Sequence, residues 1–241
     1  MKKPLLILTT FFFIYLNGQA QEVQEERKGF IGLSIGASIP TGEYASIDGS
    51  SPSAGFASGG SYLELVKFGY RFGKHFGIAA SWYGLANQVN IQALASEFGK
   101  RAPVGTSGSI EAKPWSAGGL LVGPMYTINH GRFDFDITAL IGYMGASSPE
   151  TKVTMQSGTA TATATTESKL EMAAAYKLGC DVRYKLAEKW ALGAGVGYLS
   201  STIEYSGIKT TDGAGKVYTG SSFSQPVNTV NMVVNIFYLL K

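Results

Sequence analysis

Disulfide bonds, helical membrane spans and dense surface charge are all missing from this sequence. Cys180 is the only cysteine among 241 residues, so no bridge can form within the chain and a disulfide-stapled scaffold is excluded. Beyond residue 20 no apolar run approaches the roughly 18 residues that a transmembrane helix needs. Charged side chains make up 15% of the chain, against about 25% in an average soluble domain. What the chain does have is 45% hydrophobic residues, too many for a disordered polymer, and 31 glycines, nearly double the usual share of about 7%. A β-rich, glycine-rich, weakly charged chain is what remains.

The first twenty residues predict a secretory signal peptide. Lys2 and Lys3 form its basic end, Leu5 to Leu16 its apolar stretch, and Gly18 and Ala20 are the small residues of a cleavage site. A dozen apolar residues are too few to anchor the chain across a bilayer. Residues 21–28 are then expected as a short periplasmic tail, and 29–241 as the folded domain. Loss of Lys2 and Lys3 leaves 18 basic against 17 acidic side chains, so the mature chain is nearly neutral. No basic patch offers itself to nucleic acid, and export removes the chain from nucleotide cofactors.

From Phe30 onward the sequence alternates with period two, the mark of a strand with two unlike faces. In the first run Ile31, Leu33, Ile35, Ala37 and Ile39 alternate with Gly32, Ser34, Gly36 and Ser38. Similar runs follow at 62–72, 76–86, 115–128, 133–144, 172–186, 190–204 and 227–240, eight in all. Pro124 interrupts the fourth run and lacks an amide proton, so it is expected at a bulge or near a strand end. Short turns around 73–75, 129–131 and 187–189 alternate with long polar segments at 40–61, 87–114, 146–170 and 205–226. The second long segment predicts a short helix near Ile91 to Gly99. The third holds a Thr-Ala tract, 159–166, able to prolong its flanking strands.

A soluble sheet would carry Lys, Glu and Asp on its exposed face. Here the minor face is mostly Gly, Ala, Ser and Thr, which suits the narrow interior of a small barrel with its bulky residues turned outward to lipid. Aromatic residues near strand ends predict interfacial girdles: Phe72, Phe76, Trp82, Trp115, Tyr126, Phe133, Tyr143, Tyr184, Trp190, Tyr198 and Tyr238. The fold predicted is all-β: an eight-stranded antiparallel up-and-down transmembrane β-barrel with short periplasmic turns and long extracellular loops.

The signal peptide, the opening strand that ends Ser38-Ile39-Pro40-Thr41-Gly42-Glu43-Tyr44, and the eight alternating runs resemble the bacterial outer-membrane β-barrel domain family, similar to OmpA/OmpX-type barrels. The resemblance covers essentially the whole mature chain and implies an outer-membrane location, with lipid and the barrel-assembly machinery as partners. Such barrels commonly end in an aromatic residue, whereas this chain ends Phe237-Tyr238-Leu239-Leu240-Lys241. With the last run reaching residue 240, no separate peptidoglycan-binding domain is expected.

No motif marks a catalytic, cofactor-binding or metal site, and no cofactor is expected. Gly193-Ala194-Gly195-Val196-Gly197 lies inside a strand with its glycines on one face, and Asp212-Gly213-Ala214-Gly215-Lys216 lacks the spacing of a phosphate loop. A lipid-modifying barrel enzyme would need a histidine with a serine and an acid near the outer leaflet, but His75 and His130 both belong to the short-turn end. The expected function is non-enzymatic, envelope-structural or contacting an extracellular ligand or protein through the loops. A small channel or transport accessory, and a secreted soluble ligand-binding barrel, are the alternatives. Five basic residues (Lys67, Arg71, Lys177, Arg183, Lys185) and three acidic ones (Asp134, Asp136, Asp181) are expected inside, closing the lumen by ion pairs and leaving any residual pathway weakly anion-favouring.

Overall fold

The computed structural model describes residues 27–103, 105–220 and 222–241. The expected signal at 1–20 and nearly all of the expected tail at 21–28 lie outside them. Eight long strands, β1 (Gly29–Thr41), β2 (Ala57–Arg71), β3 (Phe76–Val89), β5 (Trp115–His130), β6 (Phe133–Ser147), β9 (Leu170–Lys185), β10 (Trp190–Tyr205) and β13 (Phe223–Leu240), form a closed ring in the order β1-β13-β10-β9-β6-β5-β3-β2. Every neighbouring pair is antiparallel, and β1 closes the ring against both β13 and β2. Closure leaves no strand edge unpaired, the condition for a sheet to sit in hydrocarbon.

Alternation decides which side chains meet lipid. Ile35 is 61% exposed and Ile141 69%, while Ser34 and Ser38 between the outward residues of β1 are buried. Aromatic pairs mark the short-turn end: Phe133 packs on Tyr184 with ring centroids 5.0 Å apart, Phe76 on Tyr126 at 5.0 Å, and Trp190 on Tyr238 at 5.4 Å. On β6 the outward residues run from Phe133 to Tyr143. Ten residues at about 3.4 Å each, tilted by roughly 40°, rise about 26 Å, the height of an outer-membrane apolar band.

Beyond that band the long segments are structured. Among the described residues there are thirteen strands rather than eight. β4 (Thr106–Ala112), β7 (Thr151–Ser157), β8 (Ala160–Thr166), β11 (Lys209–Asp212) and β12 (Val217–Thr219) pair in the order β12-β11-β8-β7-β4. That order repeats β13-β10-β9-β6-β5, so five adjacent ring strands each continue, after a break of a few residues, into an extracellular sheet. The Thr-Ala tract becomes β8 and prolongs β9 as expected. Three of the four segments expected as loops therefore contribute strands to this sheet, because Thr and Ala strands can pair laterally where the sequence shows only a polar run. Helix α1 (Ile91–Arg101) forms where a short helix is predicted, with Asn90 capping it by accepting a hydrogen bond from the Ala93 amide at 3.0 Å.

Pro124 departs from expectation. It lies in the body of β5, opposite Ile78 of β3, with no register shift around it. The ladder to β6 simply omits Gly123 and Pro124 between the pairs Val122–Ile141 and Met125–Thr138. A closed ring thus tolerates the missing amide as a local gap on one side of the strand.

Candidate functional site

Two regions carry the chemistry: the lumen and the extracellular sheet. In the lumen, β2 and β9 stand diametrically opposite, four strands apart in either direction round the ring. Glu64 of β2 meets Lys177 of β9 at 2.5 Å, and Lys67 of β2 meets Asp181 of β9 at 2.6 Å. Lys67 also lies 3.4 Å from Glu64, so two acids and two bases close into a quartet across the pore. Ser81 donates to Glu64, Asn235 to Asp181 at 3.1 Å, and Lys177 reaches the Tyr62 hydroxyl at 2.9 Å.

Glu64 was not among the expected lumen charges. Strict alternation puts it on the opposite face from Lys67, three residues away. The register of β2 against β3 shifts between Glu64 and Val66, and that against β1 shifts at the same level, the mark of a β-bulge. Leu65 and Val66 consequently both face outward, and Glu64 and Lys67 both face inward. The lumen therefore holds five bases and four acids, and the expected excess of positive charge falls to one. Consecutive outward apolar residues, Leu65-Val66, were the available sign of the bulge.

A second network lies nearer the short-turn end. Arg183 donates to both oxygens of Asp136, Nε to Oδ2 at 2.7 Å and Nη2 to Oδ1 at 3.1 Å, and its guanidinium stacks 4.1 Å from the Phe30 ring centroid. Lys185 pairs with Asp134 at 2.9 Å, Asn129 donates to the same carboxylate, and Arg71 donates to Asn129. Gly195 makes space for the quartet, since a Cβ there would stand 1.9 Å from Asp181 Oδ1. The glycines of the Gly193–Gly197 run thus face inward as packing positions, in agreement with the sequence reading.

The lumen also holds bulky side chains among its mostly small ones. Leu121, Met125, Met144, Leu199 and Ile203 are fully buried along it, and the extracellular half buries polar Ser38, Asn87 and Gln225 as well. Trp115, expected in an interfacial girdle, points inward and is 5% exposed. Its indole Nε1 donates to the Gly55 carbonyl at 2.9 Å, and Tyr44 stands edge-on to it at 5.6 Å. Tyr44 ends a 3-10 turn, Gly42–Tyr44, in the segment between β1 and β2, which folds over the mouth as a strap. Gln225 donates to the Ser53 carbonyl at 3.0 Å, and Phe56, with φ of 49°, turns the strap into β2 in a left-handed conformation that a bulky side chain seldom adopts.

Above the strap stands the five-stranded sheet. Register places Ser109, Thr154 and Thr163 side by side on one face, together with the neighbouring pair Thr165 and Thr211. The opposite face carries Ile110, Val153 and Ala164, and Gly108, Met155 and Ala162. Helix α1 borders a crevice of about 120 Å³ against β4 and β7. His75 and His130 lie at the short-turn end, where His75 Nδ1 is 2.9 Å from the Thr127 carbonyl oxygen and stacks on Tyr126. Among the described residues no cluster of His, Cys, Asp or Glu has the geometry of a metal site. Cys180 is exposed on the outer wall, on the face expected for it.

No protein family and no curated protein matches the chain. Among solved structures it is similar to a major outer membrane protein from Thermus thermophilus, at 12% identity and a TM-score of 0.46, over 87% of this chain and 98% of that one. It is also similar to Ail, the attachment invasion locus protein of Yersinia pestis, at 14% identity and a TM-score of 0.43, over 89% and 99%. Neisserial surface protein A stands at 10% identity and 0.43, over 88% and 97%. Eight antiparallel strands closed without an edge, apolar outside over the height of a bilayer core and ion-paired within, make the chain an eight-stranded antiparallel transmembrane β-barrel.

Proposed function

We propose that this barrel is a non-enzymatic, non-conducting surface protein that presents its extracellular sheet to a partner outside the cell. The observation that carries the reading is the continuation of five ring strands into a paired sheet above the membrane. A chain that served only as a membrane plug would gain nothing from ordering those residues, since fixing each backbone costs about 1–2 kcal/mol of conformational entropy. Recognition surfaces need that order in advance, because a preformed surface avoids the ordering cost on binding. The lumen argues against the channel alternative: an ionic quartet and an aromatic strap lie in series along it. The apolar exterior argues against a soluble carrier.

The test removes the platform and keeps the barrel. Deleting the β7–β8 hairpin, residues 151–166, takes two strands out of the middle of the sheet. Intact and deleted proteins, each checked for the heat-dependent mobility of a folded barrel, are used to capture ligands from host-cell surface extracts and from purified envelope polysaccharide. Binding present with the intact protein and lost with the deleted one supports the reading. Equal binding by both, or a large steady conductance of the intact barrel, overturns it.

A further inference from the structure

The outer wall of the barrel is not uniformly bulky. Around Pro124 of β5, Ala139 of β6 and Cys180 of β9 it recedes into an almost wholly apolar furrow of about 600 Å³. Ala139 stands beside Leu178 and one row from Ile137, which are 53% and 52% exposed, so a short side chain lies among long ones. The furrow crosses the wall from Phe76 of β3 to Val230 of β13, and on the way passes the seam where the β5–β6 ladder omits Gly123 and Pro124. Thr138 borders both this furrow and a small void of about 10 Å³ inside the lumen, so the wall here is a single residue thick.

The foot of the furrow is formed by Phe76 and Tyr126, a packed pair of the short-turn girdle. Two residues before Phe76, in the turn itself, Lys74 is exposed. An apolar trough that begins at an aromatic girdle beside an exposed cation and runs toward the middle of the bilayer has the polarity of one molecule: a phospholipid of the periplasmic leaflet. We propose that the furrow is a binding site for one acyl chain of such a lipid, its phosphate held near Lys74. Hydrocarbon is the medium at that depth, and a trough between Leu178 and Ile137 lets a chain contact protein on three sides where a flat wall offers one, which adds dispersion contacts. The phosphate gains the attraction that a cation near a membrane surface exerts on anionic headgroups. The inference rests on the transmembrane barrel alone and is independent of the extracellular recognition proposed above.

The experiment uses the full-length protein in detergent, with dioleoyl phosphatidylglycerol as the probe and native mass spectrometry as the readout. The wild-type protein is expected to retain one lipid per barrel at detergent concentrations that strip the rest. Ala139→Phe, which fills the furrow, should weaken that retention about tenfold, and the milder Ala139→Leu should weaken it less. Leu33→Phe changes an outward residue of β1 paired with Ile236 of β13, six residues along that strand from the furrow's end at Val230, and should leave it unchanged. Lys74→Ala should reduce retention of the anionic lipid while sparing dioleoyl phosphatidylcholine. Retention that is absent in the wild type, or equal in Ala139→Leu and wild type, or equally reduced by Leu33→Phe, overturns the proposal. A wild-type dimer that Ala139→Phe dissolves overturns it too, and gives the furrow to a second copy of the chain.

Discussion

Glu64 and Lys177 reach each other across the full width of the pore, carboxylate oxygen to ammonium nitrogen at 2.5 Å, from strands that face each other on opposite sides of the ring. Together with Lys67 and Asp181 they form a strut that ties the two walls. Breaking a buried pair by removing one partner strands the other charge, at a cost of about 3–5 kcal/mol. Glu64→Ala should therefore lower the stability of the folded barrel by that order in urea unfolding. Replacing both Glu64 and Lys177 by Met should cost far less or stabilise. Equal losses in the single and double variants would show that packing, not charge, is what matters at this level.

Conductance follows from the same lattice. In planar bilayers the wild-type barrel should show little or no steady current. Arg183→Ala removes the partner of Asp136 and leaves four bases against four acids in the lumen, with the Asp136 carboxylate uncompensated at the short-turn end while Lys185 still pairs with Asp134. Any current it releases should favour cations, read as the sign of the reversal potential in a salt gradient. A large wild-type current would place transport ahead of recognition.

Orientation of the wall is checked at β9. Cys180 faces lipid and should resist a membrane-impermeant maleimide in vesicles until the barrel unfolds. Val182, two residues along on the same face, should destabilise by about 1–4 kcal/mol when replaced by Arg, depending on its depth. Ser222→Ala, at an exposed position near the start of β13, should change stability by less than about 0.5 kcal/mol. Rapid labelling of folded protein would mean that the strand is out of register by one residue.

Tyr44 and Trp115 help to hold the strap over the extracellular mouth. Tyr44→Ala should remove about 3 kcal/mol, in the range for deleting a buried aromatic ring. Trp115→Phe keeps the ring packing but loses the bond to the Gly55 carbonyl, which leaves a buried acceptor unpaired at about 1–3 kcal/mol. Limited proteolysis between residues 46 and 55 should rise in both variants. No change in cleavage would mean that the strap is held elsewhere.

Acid should loosen the tip of that strap. Asp48 Oδ1 accepts from the Ser50 amide at 2.9 Å and from the Ser50 hydroxyl at 2.8 Å, and these bonds hold its carboxyl below the ordinary carboxylate range. Because the folded value is depressed, the ordering is fully present above the ordinary range of about 3.9 and is lost as the pH falls through the folded value. The Ser50 amide proton resonance should titrate in that acid window, and Asp48→Asn should flatten the response.

The positions of the ring strands, the outward faces of residues such as Ile137, Cys180 and Val196, and the short-turn and long-segment ends of the barrel were all legible in the residue order. Each depends on a local rule: successive side chains on a strand see opposite media, so a two-residue period writes the environment directly into the sequence. The pairing of Asp134 and Asp136 with Arg183 and Lys185 was legible from the order of the strands, since consecutive antiparallel ring strands bring the start of β6 beside the end of β9 at the short-turn end. The quartet of Glu64, Lys67, Lys177 and Asp181 was not. It needs one extra residue in β2 to turn Glu64 inward, and it needs the ring to close so that β2 and β9 face each other. Likewise Trp115 points inward because a strap some sixty residues away offers its indole an acceptor, and the Thr-Ala tract becomes a sheet because β7 and β11 flank it. Period two states which medium a residue meets. Which residue it meets across the pore is decided by the closure of the ring, a property of all eight strands at once.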